Sequence, residues 1–466
     1  MVDKNINRRD LLRGSAATGA GLLIAGAGLP ALGEDKKPEL DLPKGATGKL
    51  TVIHRTEYFE EAQTFFRDEV TAFAKAKNIE LDVSTTNPEA FGDFLGKMTA
   101  AVKAGNPPDM AYTSNVSVPQ MTALGVVEDV SDVVEEAIKR YGDLMPGINA
   151  AVNGKIDGHW RSIPYIGNAT GYFFRSDKLK EKGIDPATLT NLNTRREAAL
   201  AISGPDFYGW GITPNKGGDG AGFLISVVQA FGGHFTDETG LIVQYNSPET
   251  VAAYQWLVET YDRNGKYAAM LPPGVESWTD TGNNEAWVAG SIGYTINQYS
   301  VYAAAKKNAP EVYKNTVVLR TPTANNGDNR DSGQVGGWLT IFKGAPNVAL
   351  AKDLALYLLD PGNFNKIASV AGGLFMPAYN NLWTPELIAA DPNFGIIKQQ
   401  VSVAKPFIGD PWPAKPAPQF GGIRAQSIVE NSVGNAISGR MSAADAVKDA
   451  HDKIVQLFEE GGIEQP

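Results

Sequence analysis

Residues 49–113 read KLTVIHRTEYFEEAQTFFRDEVTAFAKAKNIELDVSTTNPEAFGDFLGKMTAAVKAGNPPDMAYT. Three β-type runs alternate here with two helical ones. Lys49 to His54 has the apolar character of a buried strand, Glu80 to Ser84 alternates like a second, and Asp109 to Thr113 reads as a third. Between the first two, Ala62, Phe65, Phe66, Val70, Phe73 and Ala74 recur at helical spacing. Phe91 to Lys103 is again helical and is stopped by Gly105-Asn106-Pro107-Pro108. Strand, helix, strand, helix, strand at these lengths predicts a parallel sheet with crossover helices.

The alternation resumes further on. Ser247-Pro248-Glu249 starts a helix with Ser as N-cap and Pro in the first turn, and Gly265 stops it. Ser291 to Asn297, Thr316 to Thr321 and Trp338 to Lys343 read as strands, and Asn347 to Leu359 as a helix. Ser442-Ala443-Ala444-Asp445 begins a last helix, whose apolar face is Val447, Ala450, Ile454, Leu457 and Phe458. The chain has 466 residues, too many for one hydrophobic core and natural for two domains.

The N-terminal stretch has the layout of a cleaved export signal. Asn7-Arg8-Arg9-Asp10-Leu11-Leu12-Arg13 precedes a Gly- and Ala-rich run ending Ala31-Leu32-Gly33, which predicts a twin-arginine signal peptide over residues 1–33. Its glycines make it too weakly apolar for a membrane anchor. With no cysteine there is no lipid attachment site and no disulfide, so the expectation is a soluble protein, not membrane-anchored, whose core is held by packing. Residues 1–33 hold four basic and two acidic side chains, so their removal takes the formal net charge from −10 to −12. No basic cluster stands out, which argues against nucleic acid as a partner.

Chemistry-bearing motifs are missing. The four histidines, at 54, 159, 234 and 451, form no metal-binding pair, and without cysteine a zinc or iron–sulfur site is not expected. Gly290-Ser291-Ile292-Gly293 falls one residue short of a nucleophile elbow. Gly45-Ala46-Thr47-Gly48-Lys49 and Gly217-Gly218-Asp219-Gly220-Ala221-Gly222 fail as phosphate-binding loops, and both read as turns. Asn325 to Gly333 lacks the spacing of a calcium loop and reads as a surface turn. The expectation is a non-enzyme with no metal and no cofactor.

Several stretches, in order, resemble the family-1 extracellular solute-binding proteins of bacterial ABC importers. They are Asn106 to Tyr112, Val127 to Asp132, Gly154 to Gly158, Ile163-Pro164-Tyr165, Gly171 to Leu179, Gly183 to Pro186, Ala289 to Tyr294, Gly336 to Ile341 with Asn347 to Leu359, and Ser438 to Ala446. The resemblance implies an α/β fold of two lobes with a ligand cleft between them and three hinge crossings. The crossings are expected near Ile163-Pro164-Tyr165, Pro322 and Phe375-Met376-Pro377. The implied lobes are residues 46–163 plus 323–375 and residues 168–318 plus 378–466. The implied function is capture of a solute by hinge closure and its delivery, in the periplasm of a Gram-negative type of cell, to the transmembrane subunits of an ABC importer, with the binding protein itself a monomer.

Candidate ligand residues follow the predicted strand ends, where open α/β sheets bind ligands. They are Glu57 and Tyr58 after the first strand, Thr113, Ser114 and Asn115 after the third, Asn168 after the first crossing, Asn215 in its loop, and Asn297 and Tyr299 after the strand at 291–297. Trp278 precedes a helix containing Asn284, in a region where the family lines its cleft. Gly337 would let backbone approach a ligand closely, which places Trp338 against it. Trp412 stands between Pro411 and Pro413, in a segment where the family stacks a ring. Trp256, on a helix face with Ala253, Leu257 and Tyr261, belongs to the core instead. Amides outnumber charges in this set, which favours an uncharged, hydroxyl-rich ligand, a sugar or sugar derivative. The rivals are an exported carbohydrate hydrolase, which needs two cleft carboxylates about 5–9.5 Å apart, and a binding protein for a polyamine, which needs several cleft carboxylates.

Overall fold

The computed structural model describes residues 47–466 except 88–90, 115, 332, 392–393 and 404–417. The signal segment, Asn115 and Trp412 lie outside the described residues. The opening stretch folds as its pattern predicts: β1 (Lys49–Arg55), α1 (Glu60–Ala76), β2 (Glu80–Thr86), α2 (Phe91–Lys103) and β3 (Met110–Thr113), with β1 parallel to both β2 and β3. Asp109 locks this unit. Its buried carboxylate accepts from the Thr51 amide at 2.8 Å and from the Asn347 amide at 2.7 Å, so it satisfies backbone donors of two distant segments.

The remaining strands of the main sheet are β4 (Ile163–Arg175), β5 (Tyr208–Trp210), β6 (Ile292–Gln298), β7 (Thr316–Leu319), β8 (Gly333–Ile341) and β9 (Met376–Pro377), and Lys155–Ile156 pairs with His159–Trp160 in a separate two-stranded sheet. The sheet path runs β2-β1-β3-β8-β4-β6-β5, with β7 and β9 also paired to β4. The 13-residue β4 is the shared element. Its first half pairs antiparallel with β8, from Ile163↔Leu339 to Ala169↔Gly333. From Thr170 it pairs with β6 instead, beginning at Thr170↔Gln298. The change of partner therefore falls at Ala169–Thr170, in the same strand as Ile163-Pro164-Tyr165. β8 begins at Gly333, five residues before the expected Trp338, and carries register shifts around Gly337. The adjacent glycines Gly336 and Gly337 are spanned by ladder pairing with β4, from Val335↔Gly167 to Gly337↔Ile166.

Two hydrophobic cores flank this strand. One gathers Leu50, Val52, Phe66, Tyr112 and Leu339 with Leu350 to Leu359, the other Phe174, Trp210, Phe223 and Trp256 with Phe420 to Phe458. Ala378, Tyr379, Leu382, Trp383, Ile397 and Val401 pack in the first core, as do Phe173, Trp287 and Tyr299. The helices that close the second core start as expected. In α3 (Pro248–Tyr261) the Ser247 hydroxyl accepts from the Thr250 amide at 3.2 Å, and in α4 (Ala443–Glu460) the Ser442 hydroxyl accepts from the Asp445 amide at 3.1 Å. Val447, Ala450, Ile454 and Phe458 are buried along α4. No helix of the described residues is long and apolar enough to cross a membrane. The architecture is mixed α/β in two lobes.

Candidate functional site

A cavity of about 910 Å³ opens where the ends of β1, β3 and β6 meet the middle of β4. Its wall includes Arg55, the last residue of β1, Ser114, just after β3, Gln298, the last residue of β6, and Thr170, where β4 changes partners. This is the place the strand-end rule indicates.

Of the residues expected from the sequence, Glu57, Tyr58, Ser114, Asn284, Asn297 and Trp338 line the cavity. Three of them form part of a polar chain. The Asn297 Nδ2 donates to Asn284 Oδ1 at 2.5 Å, and Ser300 Oγ donates to Asn297 Oδ1 at 3.3 Å. The Tyr58 hydroxyl is held above its ordinary pKa by partial burial, opposed by its hydrogen bond to the Asn284 side chain. Tyr58 extends from the β1 end and Asn284 from the helix Gly282–Val288, so the chain links segments of both halves of the molecule.

Six other expected residues are held elsewhere. Thr113 is buried in the ladder opposite Trp338. Asn168 sits behind the wall and donates from Nδ2 to the lining residue Gln298 at 2.6 Å. Asn215 braces its own loop, donating to the Trp278 carbonyl at 3.2 Å, and Trp278 packs against both cores. Tyr299 is fully buried, and its hydroxyl donates to Gln400 Oε1 at 3.2 Å. Gly337 admits a close approach, but of a protein side chain: a Cβ there would lie 2.6 Å from Tyr112 Cε2. Trp338 reaches the cavity wall but is only 6 % exposed and belongs to the first core. Trp256 is buried in the second core, as its helical pattern implies.

Apart from Glu57, the charged residues of the wall were not among those expected from the sequence. Arg55 points back at Glu57, with Nε 3.2 Å from Glu57 Oε1, and Nη1 donates to Ser114 Oγ at 2.6 Å. Burial pushes the Glu57 carboxyl up, opposed by Arg55 and the Tyr112 hydroxyl. Arg330 lies in the segment read as a surface turn, yet it is buried, as is its neighbour Asp331. Burial lowers the Arg330 pKa to about 10, with the Tyr172 hydroxyl opposing. Asp331 ties its segment down by accepting from the Thr321 amide at 3.0 Å and pairing with Arg320. The signal for Arg55 was present, since it ends β1. For Arg330 there was none, because a polar run between glycines looks the same whether it is solvated or folded inward.

The glycine-rich run at 217–222 is also more than a turn. It opens the helix Gly218–Phe231, whose first amides are capped by Asp280: Oδ2 accepts from Gly218 N at 2.9 Å and Oδ1 from Asp219 N at 3.1 Å. A Cβ at Gly220 would lie 1.9 Å from the Asn215 carbonyl oxygen, so only glycine fits that turn. The helix terminus, which would attract an anion, already holds the protein's own carboxylate. Across the wall, Arg55, Arg330 and Arg424 balance Glu57, Asp219 and Asp280, and amides supply much of the remaining polarity. Such a wall suits an uncharged polar solute better than an ion. Among the described residues no cluster of His, Asp and Glu could hold a metal ion.

Comparison with solved structures places this geometry. T. maritima MalE3 with bound maltose superposes with a TM-score of 0.72 at 18% identity, covering 88% of this chain and 99% of that one. A ribitol-bound ABC transporter solute-binding protein of Agrobacterium radiobacter K84 gives 0.73 at 17% identity, covering 91% and 100%. A sugar transporter protein of Arthrobacter chlorophenolicus A6 with bound laminaribiose gives 0.70 at 13% identity, covering 87% and 98%. These identities establish a shared fold. No curated protein matches the chain. The profile of the bacterial extracellular solute-binding proteins matches residues 69–396, which include parts of both cores and the whole of the shared strand, and the chain belongs to that family.

Proposed function

We propose that the protein captures a neutral sugar or polyol between its lobes and delivers it to an ABC import permease. The observation that carries this reading is the cavity at the partner change of β4, charge-balanced and rich in amides, with Tyr58, Tyr172, Phe223, Trp338 and Phe420 among its lining residues. Amides and hydroxyls both donate and accept, which matches the dual character of sugar hydroxyls. The neighbours with bound maltose, ribitol and laminaribiose support the same class. A ligand touching both lobes favours their closed arrangement, and the permease reads that state. The lobes correspond to residues 46–163 plus 323–375 and 168–318 plus 378–466. Residues 1–33 direct twin-arginine export to the periplasm, where the protein acts as a soluble monomer.

The engagement of the wall carboxylates supports binding rather than hydrolysis. Glu57 is sealed against Arg55, Asp280 caps a helix, and Asp219 accepts from Asn283 Nδ2 at 3.2 Å. The same engagement argues against a polyamine. A thermal-shift panel of maltose, laminaribiose, ribitol, tagatose and putrescine tests the reading. At 100 times Kd a ligand stabilises by about 2.7 kcal/mol, so a neutral sugar or polyol should raise the melting temperature. A shift with putrescine alone, or turnover of an oligosaccharide, would overturn it.

A further inference from the structure

Glu57 and Arg55 share the cavity wall but differ in access. The Glu57 side chain is 1% exposed and that of Arg55 16%. No well-aligned hydrogen bond reaches either Glu57 carboxylate oxygen, Arg55 Nε or the Tyr112 hydroxyl, all of them buried, although the Tyr112 hydroxyl stands close enough to favour the ionised carboxylate. Buried polar groups left in that state are rare and carry a desolvation cost. The Glu57 carboxylate therefore does not face the solute. It lies beneath the wall, and what it acts on is the guanidinium above it, at 3.2 Å from Nε. Ser114 takes Nη1 at 2.6 Å. Nη2 has no hydrogen-bond partner among the described residues and is not one of the buried atoms.

We propose that Arg55 is a ligand-binding residue, offering its Nη2 edge to an oxygen of the solute, and that Glu57 is its positioning residue rather than a ligand contact. The physical need is for a donor that stays in one place. An arginine side chain is long and has many rotamers, and ordering it on binding would weaken affinity. The ion pair that keeps Nε beside the Glu57 carboxylate, and the hydrogen bond from Nη1 to Ser114, hold the planar fork in place before the solute arrives. The carboxylate also offsets the guanidinium charge, so that an uncharged hydroxyl or ring oxygen can serve as acceptor without a counter-ion. The groups facing Glu57 from the packed strands are Arg55 on its own segment, Tyr112 on β3 and Tyr165 on β4, none of them a carboxylate. Only the guanidinium of that set reaches the cavity wall.

This inference rests on the proposal that a small polar solute occupies the cavity, and a double-mutant cycle separates the two. Isothermal titration with maltose, laminaribiose and ribitol is run on wild type, Arg55→Gln, Glu57→Gln and the double variant, with an apo melt of each to confirm folding. For the solute that binds wild type, Arg55→Gln should weaken binding at least tenfold and Glu57→Gln at least threefold. The double variant should bind within twofold of Arg55→Gln, because a positioning residue has nothing left to position. If Glu57→Gln does not fold, Ser114→Ala takes its place in the cycle with the same expected loss of effect. Binding by Arg55→Gln within twofold of wild type overturns the contact. A Glu57 or Ser114 effect undiminished in the Arg55→Gln background overturns the positioning role. No binding by wild type of any of the three overturns the sugar reading, and this inference with it.

Discussion

Replacing Trp256 with Ala separates the stability of the second core from ligand binding. The indole sits on α3, only 5% exposed. It meets Trp210 edge-on, with centroids 6.1 Å apart and planes at 61°. The Arg196 guanidinium lies 4.7 Å from its ring, and the indole Nε1 donates to Asn193 Oδ1 at 2.8 Å. Truncating a buried Trp costs about 3–5 kcal/mol through lost burial and the cavity left behind. The upper end applies here, since the edge-on pair adds about 0.5–1.5 kcal/mol, and Arg196 also loses an aromatic face. Arg196 keeps Tyr267, at 4.0 Å, and its pair with Glu259 at 3.0 Å, so its charge is not left unmet. With an unfolding entropy of about 2.1 cal/mol/K per residue over roughly 420 residues, 3–5 kcal/mol lowers the melting temperature by about 3–6 °C if both lobes unfold together. Trp256 does not line the cavity, so the affinity of the folded protein should stay within twofold. Calorimetric melts of the apo protein and isothermal titration read the two quantities. An unchanged melt, or a tenfold loss of affinity in a protein that melts normally, would refute the assignment of this ring to the core.

Trp338→Ala should lower both quantities, by about 3–5 kcal/mol in stability and at least threefold in affinity, because the ring is packed in the first core and also borders the cavity. A normal apo melt with weakened binding would refute the placing of this ring in the core. Acidification should destabilise the protein through His54. Burial holds its pKa below 6.5, Nδ1 donates to the Arg55 carbonyl at 2.7 Å, and Nε2 accepts from Arg67 Nε at 2.7 Å, so the folded state keeps the ring neutral. The unfolded chain then binds the proton first, and stability is lost as pH falls from about 6.5 toward the lower folded value. Glu57, whose pKa is raised, contributes with the opposite sign. Urea unfolding at pH 7.5 and 5.5 should therefore show a smaller pH-dependent loss in His54→Gln than in wild type; equal losses would exclude His54 as a source. Changing Arg8 and Arg9 together to Lys should retain the precursor in the cytoplasm, as cell fractionation would show; normal export would rule out the twin-arginine route.

The alternation at 49–113, the capped helices at Ser247 and Ser442, and the ordered family motifs were legible along the chain because each depends on neighbours a few residues apart. Periodicity, caps and turns are local interactions, and Ala253, Trp256 and Leu257 declared their core face within a single helix. The strand ends were legible for the same reason, which is how Glu57, Tyr58, Ser114 and Asn297 came to be named. Which atoms of those residues face the solute was not legible. Glu57 and Arg55 stand two residues apart, and only the packing of Tyr112 and Tyr165 from other strands turns the carboxylate under the wall and leaves the guanidinium at it. Gly337 looks the same in a sequence whether it makes room for a sugar or for Tyr112. Arg330 looks solvated until distant segments close over it. Burial and hydrogen-bond satisfaction are set by contacts between residues hundreds of positions apart, as between Asp109 and Asn347. The tertiary structure alone decides them.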